Sequence, residues 1–411
     1  MEDIRAEVRS WIQQHWDPEL PLRDWRILLL DSGWACPSWP VRWHGRGLPV
    51  AAESVVAGEL AAAGAVGLPG GSGMGLAAPT ILEHGSDDLK VRLLRPAVIG
   101  DDLWCQLFSE PGSGSDLAGL TTRAERDGDE WIVNGQKVWN TSAHHADLAM
   151  LVARTDWDVP KHAGITYFVL PMKQPGVEVR PLKQMNGHAS FNEVFMTDAR
   201  VPVANVVGGV NDGWRVALAT LAHERRLGPA LSRRAKPGRA GRALREAQEE
   251  TDRAFAPYVW YPQRAGRADL VAEIATSSGR GRDPIIRQEI AKLHSLVQVA
   301  QWTVQRAGAA RALGRPPGPE GSLAKLHASA IARAAAQVHT RLDGSAAMLS
   351  GADGSLGGVI AEILVSVPAV SIAGGTDEVQ HNILGERILG LPKEPQVDRD
   401  IPFRSVPRNV R

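Results

Sequence analysis

The spacing of apolar residues changes twice along this 411-residue chain, and the two changes divide it into three segments. Residues 1–98 have the pattern of helices, and Ser86 followed by two aspartates predicts the start of one of them. In residues 99–206 short apolar stretches alternate with turn residues, which predicts an antiparallel sheet or barrel. The helical spacing returns in residues 207–411. We therefore predict an α+β fold with an N-terminal helical domain, a middle antiparallel β-domain and a C-terminal helical bundle.

The middle segment contains one strong turn signal, Asn134-Gly135, between the two apolar arms of EWIVNGQKVWNT. This dipeptide favours the two-residue turn of a β-hairpin, because both of its residues tolerate a positive φ. Further strands are expected in LAMLVART, GITYFVLPM, GVEVRPL and FNEVFMTDARVP.

The C-terminal segment contains two long helical patterns. In the first, apolar residues recur at three- and four-residue spacing and form one stripe: Ile286, Ile290, Leu293, Val297, Ala300 and Val304. The second follows a Pro/Gly break as PGPEGSLAKLHASAIARAAAQVHTRL. Long, weakly polar helices usually form a bundle whose remaining apolar faces build an oligomer, so we expect the chain to associate.

The composition excludes several classes of protein. Lys plus Arg number 46 and so do Asp plus Glu, and this balance argues against a global positive field that would hold nucleic acid. Cys36 and Cys105 are too few for a disulfide framework, and no metal site is predicted. The N-terminal residues lack the apolar core of a signal peptide. Because Glu53 and Glu59 interrupt the most apolar stretch, residues 50–79, no membrane span is expected, and a cytoplasmic enzyme is favoured.

Two glycine-containing turns carry groups suited to a ligand. SEPGSGSD, residues 109–116, offers backbone N–H groups and serine hydroxyls that can hold a pyrophosphate or a carbonyl edge. In SIAGGTDEVQHNILGERILG, Gly374 and Gly375 separate an apolar run from a helix that Thr376 could cap. A Gly-Gly turn that leads into a helix N-terminus can present N–H groups to an anion, or it can simply redirect the chain.

The order of strand, SEPGSGSD loop, Asn-Gly pair and GQKVWNTSA in residues 104–154 resembles the acyl-CoA dehydrogenase family, flavoenzymes that oxidise acyl-CoA thioesters to 2-enoyl-CoA. The resemblance covers nearly the whole chain. GWACPSWPVRWHGRGLP is similar to a loop of the family's N-terminal domain, FNEVFMTDARVP to the last strand of its middle domain and GGTDEVQHNILGERILGLP to its C-terminal helix. It implies three domains, namely residues 1–98, a flavin- and substrate-binding β-domain in 99–206, and a bundle in 207–411 with the catalytic base and the oligomer interface.

The resemblance also implies FAD as the cofactor and names its contacts. In the middle domain these are Gln106, Phe108, Ser109, Gly114, Ser115, Trp139, Asn140 and Thr141. Of these, Trp139 would flank the isoalloxazine ring, Thr141 would hydrogen-bond near its N5, and Ser115 would reach the pyrophosphate or the CoA part of the substrate. The implied contacts in the C-terminal domain are Arg287 and Gln288, which would hold the FAD of a neighbouring subunit, together with Gly344, Thr376 and Glu378.

The chain departs from the family pattern in three places. An arginine motif that the family supplies from a second subunit is not recognisable, and either Arg280 or Arg282 could replace its arginine. The family's Gln-x-x-Gly-Gly phosphate loop corresponds to RLDGSAAM, which keeps only Gly344. Many members place the catalytic glutamate at the position of Gly374, so the carboxylate expected there is missing.

Oxidation of a thioester still requires a carboxylate in a dry pocket to remove the α-proton. The second position that the family uses for it is a Glu-Arg pair, which matches Glu224-Arg225 in GWRVALATLAHERRLGPAL. Glu224 is therefore the predicted base, and Arg225, Gly374 and Ser115 are the predicted substrate contacts. Without the resemblance, Glu224 would be interpreted as a surface carboxylate beside Arg225 and Arg226.

Three functions follow from the resemblance. The leading hypothesis is an FAD-dependent acyl-CoA dehydrogenase that passes electrons to an electron-transfer flavoprotein. A flavoprotein oxidase or monooxygenase on the same fold is the second. The third is a non-catalytic partner subunit of a heteromeric dehydrogenase, so a homotetramer and a heterotetramer are both expected assemblies. Branched, ring-containing and long acyl groups all remain compatible with the sequence.

Overall fold

The computed structural model describes residues 1–227, 240–313, 315 and 318–407. For residues 225–227, 255, 257, 311 and 312 it describes the backbone alone. The chain divides into two compact units. The first unit comprises Met1–Leu182, Ala189–Ala256 and Gln396–Arg411, and the second comprises Lys183–His188 and Pro257–Pro395.

The first unit begins with five helices, which are α1 (Glu2–His15), α2 (Leu22–Asp31), α3 (Ala51–Ala63), α4 (Ala78–His84) and α5 (Asp87–Ile99). The start predicted at Ser86 is confirmed, because its side chain accepts a hydrogen bond from the Leu89 N–H at 3.2 Å. Asp87 and Asp88 follow in the first turn, where negative charge stabilises a helix. Buried aromatic and aliphatic side chains, with Trp25 and Trp34 among the largest, form the core between these helices.

Eight strands of the described chain follow and form one sheet: β1 (Trp104–Leu107), β2 (Arg123–Asp127), β3 (Glu130–Thr141), β4 (Leu148–Arg154), β5 (Ile165–Pro171), β6 (Val177–Leu182), β7 (Phe191–Pro202) and β8 (Val206–Val207). The strand order is β6-β7-β3-β2-β4-β5-β8, with β1 beside β4. All pairs are antiparallel except those of β4 with β1 and with β2, which are parallel. The predicted β-domain is thus confirmed, with two parallel pairings added to it.

The hairpin turn predicted at Asn134-Gly135 is wrong. Strand β3 continues through both residues, and the β2–β3 hairpin turns at Gly128, whose φ is +59°. Gly135 is required for a different reason, since a Cβ there would lie 2.8 Å from the Thr122 Cα. The Asn134 side chain accepts a hydrogen bond from the Asp198 N–H at 2.9 Å, beside a register shift in the β3–β7 pairing. The Asn-Gly pair therefore marks a β-bulge.

Two helices complete the described part of the first unit, α6 (Gly213–Leu227) and α7 (Arg242–Phe255). The buried face of α6 includes Val216, whereas Leu218 is 48% exposed. The helix therefore buries one face and exposes another. The C-terminal residues 396–405 return to this unit and pair with the connection between β4 and β5.

The second unit contains helices α8 (Tyr261–Arg264), α9 (Val271–Ser277), α10 (Pro284–Ala312), α11 (Glu320–Asp343), α12 (Val359–Ser366), α13 (Pro368–Ile372) and α14 (Asp377–Arg387). The two long patterns of the sequence correspond to α10 and α11, so the helical bundle is confirmed. The stripe predicted on α10 is buried at Ile286 and Leu293, but Val304 is 59% exposed. The stripe is therefore buried only in the first half of the helix within this chain.

One described stretch, Ser355–Arg387, is long and apolar enough to cross a membrane by length and composition alone. This is weak evidence, because core helices of soluble proteins pass the same test. The stretch includes three separate helices, α12, α13 and α14, with non-helical residues before α14.

Candidate functional site

The predicted flavin contacts of the first unit gather where β1 meets the end of β3. The Asn140 side chain donates from Nδ2 to the Gln106 carbonyl at 2.8 Å. The Val138 N–H donates to the Ser109 carbonyl at 2.9 Å, which fixes the start of the SEPGSGSD loop against β3. Gln106 and Asn140, which are 34 residues apart in sequence, are thereby held side by side.

A bulge in β3 turns Trp139 outward. The register of the β3–β7 pairing shifts between Val138 and Asn140, and Trp139 has a φ of +65°, which is uncommon for a residue with a side chain. Its indole ring is 56% exposed and contacts Phe191 edge-on, with 5.8 Å between the ring centroids. Because a sheet residue of this size is normally half-buried or better, the bulge presents a flat aromatic surface that nothing in the described chain covers.

Glu110 anchors the start of the SEPGSGSD loop from inside. Its carboxylate accepts hydrogen bonds from the backbone N–H groups of Thr121 and Thr122, at 2.7 and 2.8 Å, and from the Lys137 ammonium at 2.9 Å. Burial by itself would raise the pKa of the Glu110 carboxyl. The Lys137 charge and the threonine hydrogen bonds outweigh that effect and hold the pKa at about 2. The carboxylate is therefore ionised at neutral pH and acts as a structural anchor.

Lys137 and Arg154 are residues that the sequence did not single out. Both are fully buried, and Lys137 also donates to the Phe108 carbonyl at 2.9 Å. Arg154 donates to the carbonyls of Ala118 and Leu120, where the loop ends. A charged residue within a strand of buried side chains was the only available signal, because such a residue needs a partner elsewhere.

Beyond these anchors the loop is open. Gly114 and Ser115 are exposed, and a Cβ at Gly114 would meet nothing within 4 Å. Ser113, in contrast, is buried and donates to the Asp116 carbonyl at 2.6 Å. The loop thus has fixed ends and an accessible centre, as a site for a phosphate group requires.

Glu224 lies on α6 and is partly buried. One turn earlier on the same helix face, the Thr220 hydroxyl contacts the hydroxyls of Thr80 at 3.0 Å and Tyr167 at 3.1 Å. Tyr167 in turn packs edge-on against Phe108, at 5.9 Å between ring centroids. Residues four apart on a helix are neighbours, so Glu224 lies one turn beyond the last of these contacts on the same face of α6. The side chain of Arg225, a predicted substrate contact, lies outside the described residues.

The predicted cap of α14 is confirmed in the second unit. The Thr376 hydroxyl accepts a hydrogen bond from the Val379 N–H at 3.2 Å, and Glu378 is exposed in the first turn. Gly375 has a φ of +82°, which disfavours a side chain, and a Cβ there would also displace the Gln380 amide, whose nitrogen would lie at 2.6 Å. Gly374 is exposed and a Cβ there would meet nothing within 4 Å, but its φ of +68° disfavours a side chain.

A buried carboxylate also holds the Gly-Gly turn. Asp377, the residue after Thr376, accepts hydrogen bonds from Lys325 at 2.9 Å, Ser329 at 2.7 Å and Arg333 at 2.7 Å, all on α11. Burial would raise the pKa of this carboxyl, but Arg333, Lys325 and Ser329 together hold it well below its usual range. The start of α14 is therefore fixed to α11 by charge.

The residues predicted to serve a neighbouring subunit are accessible. Arg287 and Gln288 are exposed on α10. Gly344 has a φ of +65°, and a Cβ at this position would lie 3.2 Å from a guanidinium nitrogen of Arg280. Arg280 therefore lies beside the eroded phosphate loop of its own chain, and the choice between Arg280 and Arg282 as the replacement for the missing inter-subunit arginine stays a prediction. A basic side chain beside an accessible glycine turn suits an anionic ligand.

The polar and aromatic groups at the junction of β1 and β3 fit a flavin. Gln106 Nε2 and Asn140 Oδ1 are buried and have no hydrogen-bond partner among the described residues. An unsatisfied buried polar group costs roughly 1–3 kcal/mol, so a donor and an acceptor orphaned at one junction indicate a ligand that pairs with both. The Trp139 ring and the partly exposed Thr141 add an aromatic face and a hydroxyl.

Comparison with protein families identifies this architecture. The N-terminal domain of acyl-CoA dehydrogenases matches residues 1–101, their middle domain matches residues 105–199 and their C-terminal domain matches residues 269–389. The chain therefore belongs to the acyl-CoA dehydrogenase family, whose members are FAD-dependent flavoprotein oxidoreductases of lipid metabolism.

Individual relatives agree with this assignment. The chain is 33% identical to the acyl-CoA dehydrogenase IpdE1 of Mycolicibacterium smegmatis, over 96% of this chain and 98% of that protein. It is 37% identical to the acyl-CoA dehydrogenase FadE34 of Mycobacterium tuberculosis over 95% of this chain, but it spans only 49% of that relative. Among solved structures, the ChsE4-ChsE5 complex from Mycobacterium tuberculosis has a TM-score of 0.64 at 27% identity, covering 96% of this chain and 98% of that one.

Proposed function

We propose that the protein catalyses the FAD-dependent α,β-dehydrogenation of an acyl-CoA thioester to a 2-enoyl-CoA, with Glu224 as the base. The reaction needs one group that removes the α-proton and one that accepts the β-hydrogen as hydride. FAD supplies the hydride acceptor when it is bound. The chain supplies the carboxylate and the residues that would hold FAD and the acyl-CoA substrate.

The observation that carries this proposal is the line of contacts from Phe108 through Tyr167 to Thr220, which lies one helical turn before Glu224. It supports a base on α6 near the predicted flavin edge, because both belong to the same compact unit. Partial burial of Glu224 is also favourable, since a base that works near neutral pH needs a less hydrated carboxylate. The family's alternative position for the carboxylate is occupied by Gly374, which has no carboxylate side chain.

In this proposal the residues of the first unit orient the flavin. Trp139 would cover one face of the ring, Thr141 and Gln106 would hydrogen-bond to its polar edge, and Ser115 with Gly114 would hold phosphate. Thr376 and Glu378 are retained as cofactor contacts, and Arg225 and Gly374 as substrate contacts, on the basis of the family resemblance. Electron-transfer flavoprotein is the proposed acceptor of the electrons, and the cytoplasm the proposed location.

A second candidate function, as one subunit of a heteromeric dehydrogenase, is supported by two comparisons. FadE34 is about twice as long as this chain, so it has room for two such modules. ChsE4-ChsE5, a related structure, is a complex of two named chains. Exposed apolar side chains on α10, which include Ile285, Trp302 and Val304, also favour a protein partner. One FAD per chain in the purified protein supports the complete enzyme, whereas half that amount in a mixed complex supports the heteromer.

The test of the proposed base is the variant Glu224→Gln. The amide keeps the size of the side chain but cannot take up the α-proton, so FAD and acyl-CoA should bind as in the parent. Bleaching of the flavin by substrate should slow by roughly two to four orders of magnitude. Rapid-mixing absorbance measurements across short, branched, ring-containing and long acyl-CoA thioesters would identify the substrate class at the same time.

Glu125→Gln provides the matched control, because Glu125 is an exposed carboxylate on β2 of the same unit. It should reduce its flavin at the parent rate. A Glu224→Gln protein that also reduces its flavin at the parent rate would show that Glu224 is a surface carboxylate and that the base lies elsewhere.

A further inference from the structure

The C-terminal residues 396–405, here called the C-terminal strap, lie along the connection between β4 and β5. The Phe403 N–H donates to the Val159 carbonyl at 2.9 Å, and the Arg404 N–H donates to the Trp157 carbonyl at 3.0 Å. Arg404 also forms an ion pair with Asp158. The strap is therefore held by both backbone and side-chain contacts, unlike an ordinary frayed terminus.

Phe403 connects the strap to the end of the SEPGSGSD loop. Its ring is 1% exposed, and the Arg154 guanidinium lies over it at 3.4 Å from the ring centroid. The same guanidinium donates to the carbonyls of Ala118 at 2.6 Å and Leu120 at 3.2 Å. A buried guanidinium needs all of these contacts to offset its lost hydration, so the position of Arg154 depends on the Phe403 ring above it.

Lys161 connects the strap to the centre of the loop. Its ammonium is buried between two carboxylates, Asp116 of the loop at 3.0 Å and Asp398 of the strap at 2.7 Å. Burial would lower the pKa of Lys161, but its hydrogen bonds with Asp398 and Asp116 outweigh burial and raise it. The lysine is thus charged and shared by the two segments.

The loop has few other restraints at this point. Gly114 and Ser115 are exposed, and the Asp116 side chain is 61% exposed apart from its contact with Lys161. A free Asp116 carboxylate next to these residues would repel a phosphate group, and the shared lysine offsets part of this charge and fixes the direction of the carboxylate. Accessible N–H groups therefore remain at the loop centre and the negative charge beside them is paired.

We propose that the C-terminal strap positions the Gly114–Asp116 segment to receive the pyrophosphate of FAD, with Lys161 and Phe403 as the positioning residues. This inference rests on the proposed function, because it assumes that the loop binds FAD. The strap residues to which it assigns a role lie outside the family domain matches, which end at residue 389, whereas Lys161 lies within the middle-domain match.

The test compares four variants as full-length protein stripped of FAD. Lys161→Met removes the ion pairs with both Asp116 and Asp398. Asp398→Asn removes only the ion pair with the strap, and Lys161→Arg retains both. Lys173→Met is the matched control, because Lys173 forms an exposed ion pair with Asp147 on the same sheet. FAD affinity is measured by quenching of flavin fluorescence, and amide hydrogen exchange is measured in residues 112–119 of the FAD-free proteins.

Lys161→Met should weaken FAD binding roughly ten-fold or more, since it removes charge-assisted hydrogen bonds that order the loop. Asp398→Asn should weaken it by a smaller factor without unfolding the chain. Exchange in residues 112–119 should be faster in both, while Lys161→Arg and Lys173→Met should match the parent.

The outcomes that overturn the inference are distinct from failure of the proposed function. If Lys161→Met and Asp398→Asn bind FAD as the parent does, with unchanged exchange in the loop, the strap only stabilises the fold. If the parent itself takes up no FAD, the cofactor assignment is wrong, and the exchange measurement alone decides whether the strap orders the loop.

Discussion

Two turns of this protein carry predicted cofactor contacts, and a buried carboxylate holds each of them. Glu110 holds the SEPGSGSD loop of the first unit, and Asp377 holds the Gly-Gly turn of the second. The Glu110–Lys137 pair is closed to water, with side chains 6% and 0% exposed, whereas Arg333, which pairs with Asp377, is 52% exposed. A buried carboxylate therefore holds one turn in a dry site and the other turn in a partly hydrated site.

This difference in exposure predicts how much Glu110 and Asp377 each contribute to the free energy of unfolding. Water can approach the Asp377 pair from the exposed side of Arg333, whereas Lys137, the partner of Glu110, is fully enclosed. A closed ion pair also costs more to form, because both charges lose their hydration. We therefore expect the loop of the first unit to be the more rigid turn and the more sensitive to substitution.

The largest effect is expected for Lys137→Met, which leaves the Glu110 carboxylate buried without its counter-ion. Breaking one partner of a buried pair typically costs about 3–5 kcal/mol in the free energy of unfolding. Urea and thermal unfolding of the first unit would measure this loss. The control Lys173→Met, which removes a lysine that is 76% exposed, should cost about 1 kcal/mol or less. Equal losses in the two variants would show that the Glu110 site is hydrated.

An intermediate effect is expected for Asp377→Asn. The amide keeps one acceptor for Ser329 but loses the charge that attracts Lys325 and Arg333, so the loss should be about 1–3 kcal/mol. Faster hydrogen exchange at the start of α14 would localise it. Asp269→Asn serves as the control, since Asp269 forms an ion pair in the same unit with 64% of its side chain exposed. If Asp377→Asn costs as much as Lys137→Met, exposure does not separate the two anchors.

The smallest effect on stability is expected for the residues that face the proposed ligand. Trp139→Ala and Thr141→Ala should change the unfolding free energy by only about 0.5–1 kcal/mol, since neither side chain is buried. Both should nonetheless shift the visible spectrum or the reduction potential of the flavin. Thr197→Ala, at an exposed position on β7, should change neither property. Variants of Trp139 and Thr141 with the parent's spectrum and potential would contradict the flavin placement.

Several local features were predictable from the sequence because their causes are local. Ser86 and Thr376 cap helices with bonds that reach only three residues along the chain. The strands β4 to β7 were recognisable from the alternation of apolar stretches and turn residues. The helices α10 and α11 were recognisable from their period, which a single chain imposes without reference to neighbours.

Other features were not predictable because their causes lie far away in sequence. Asn134-Gly135 is indistinguishable from a turn until Thr122, the residue before the neighbouring strand β2, is placed against Gly135. Val304 continues an apolar stripe, but burial depends on what packs there, and no described element of this chain covers it. Lys137 could be interpreted only once its partner, 27 residues earlier, was known.

The sequence by itself determined the order of helices and strands, the two helix caps and, through the resemblance, the family, because these depend on local bonding and on short motifs. Only the tertiary structure decided which charges are buried together, why Gly135 must lack a side chain, and that residues 396–405 return to the segment around the SEPGSGSD loop. The physical reason is that the free energy of a buried ion pair or a close backbone contact depends on distance in space, which the spacing of residues along a chain does not contain.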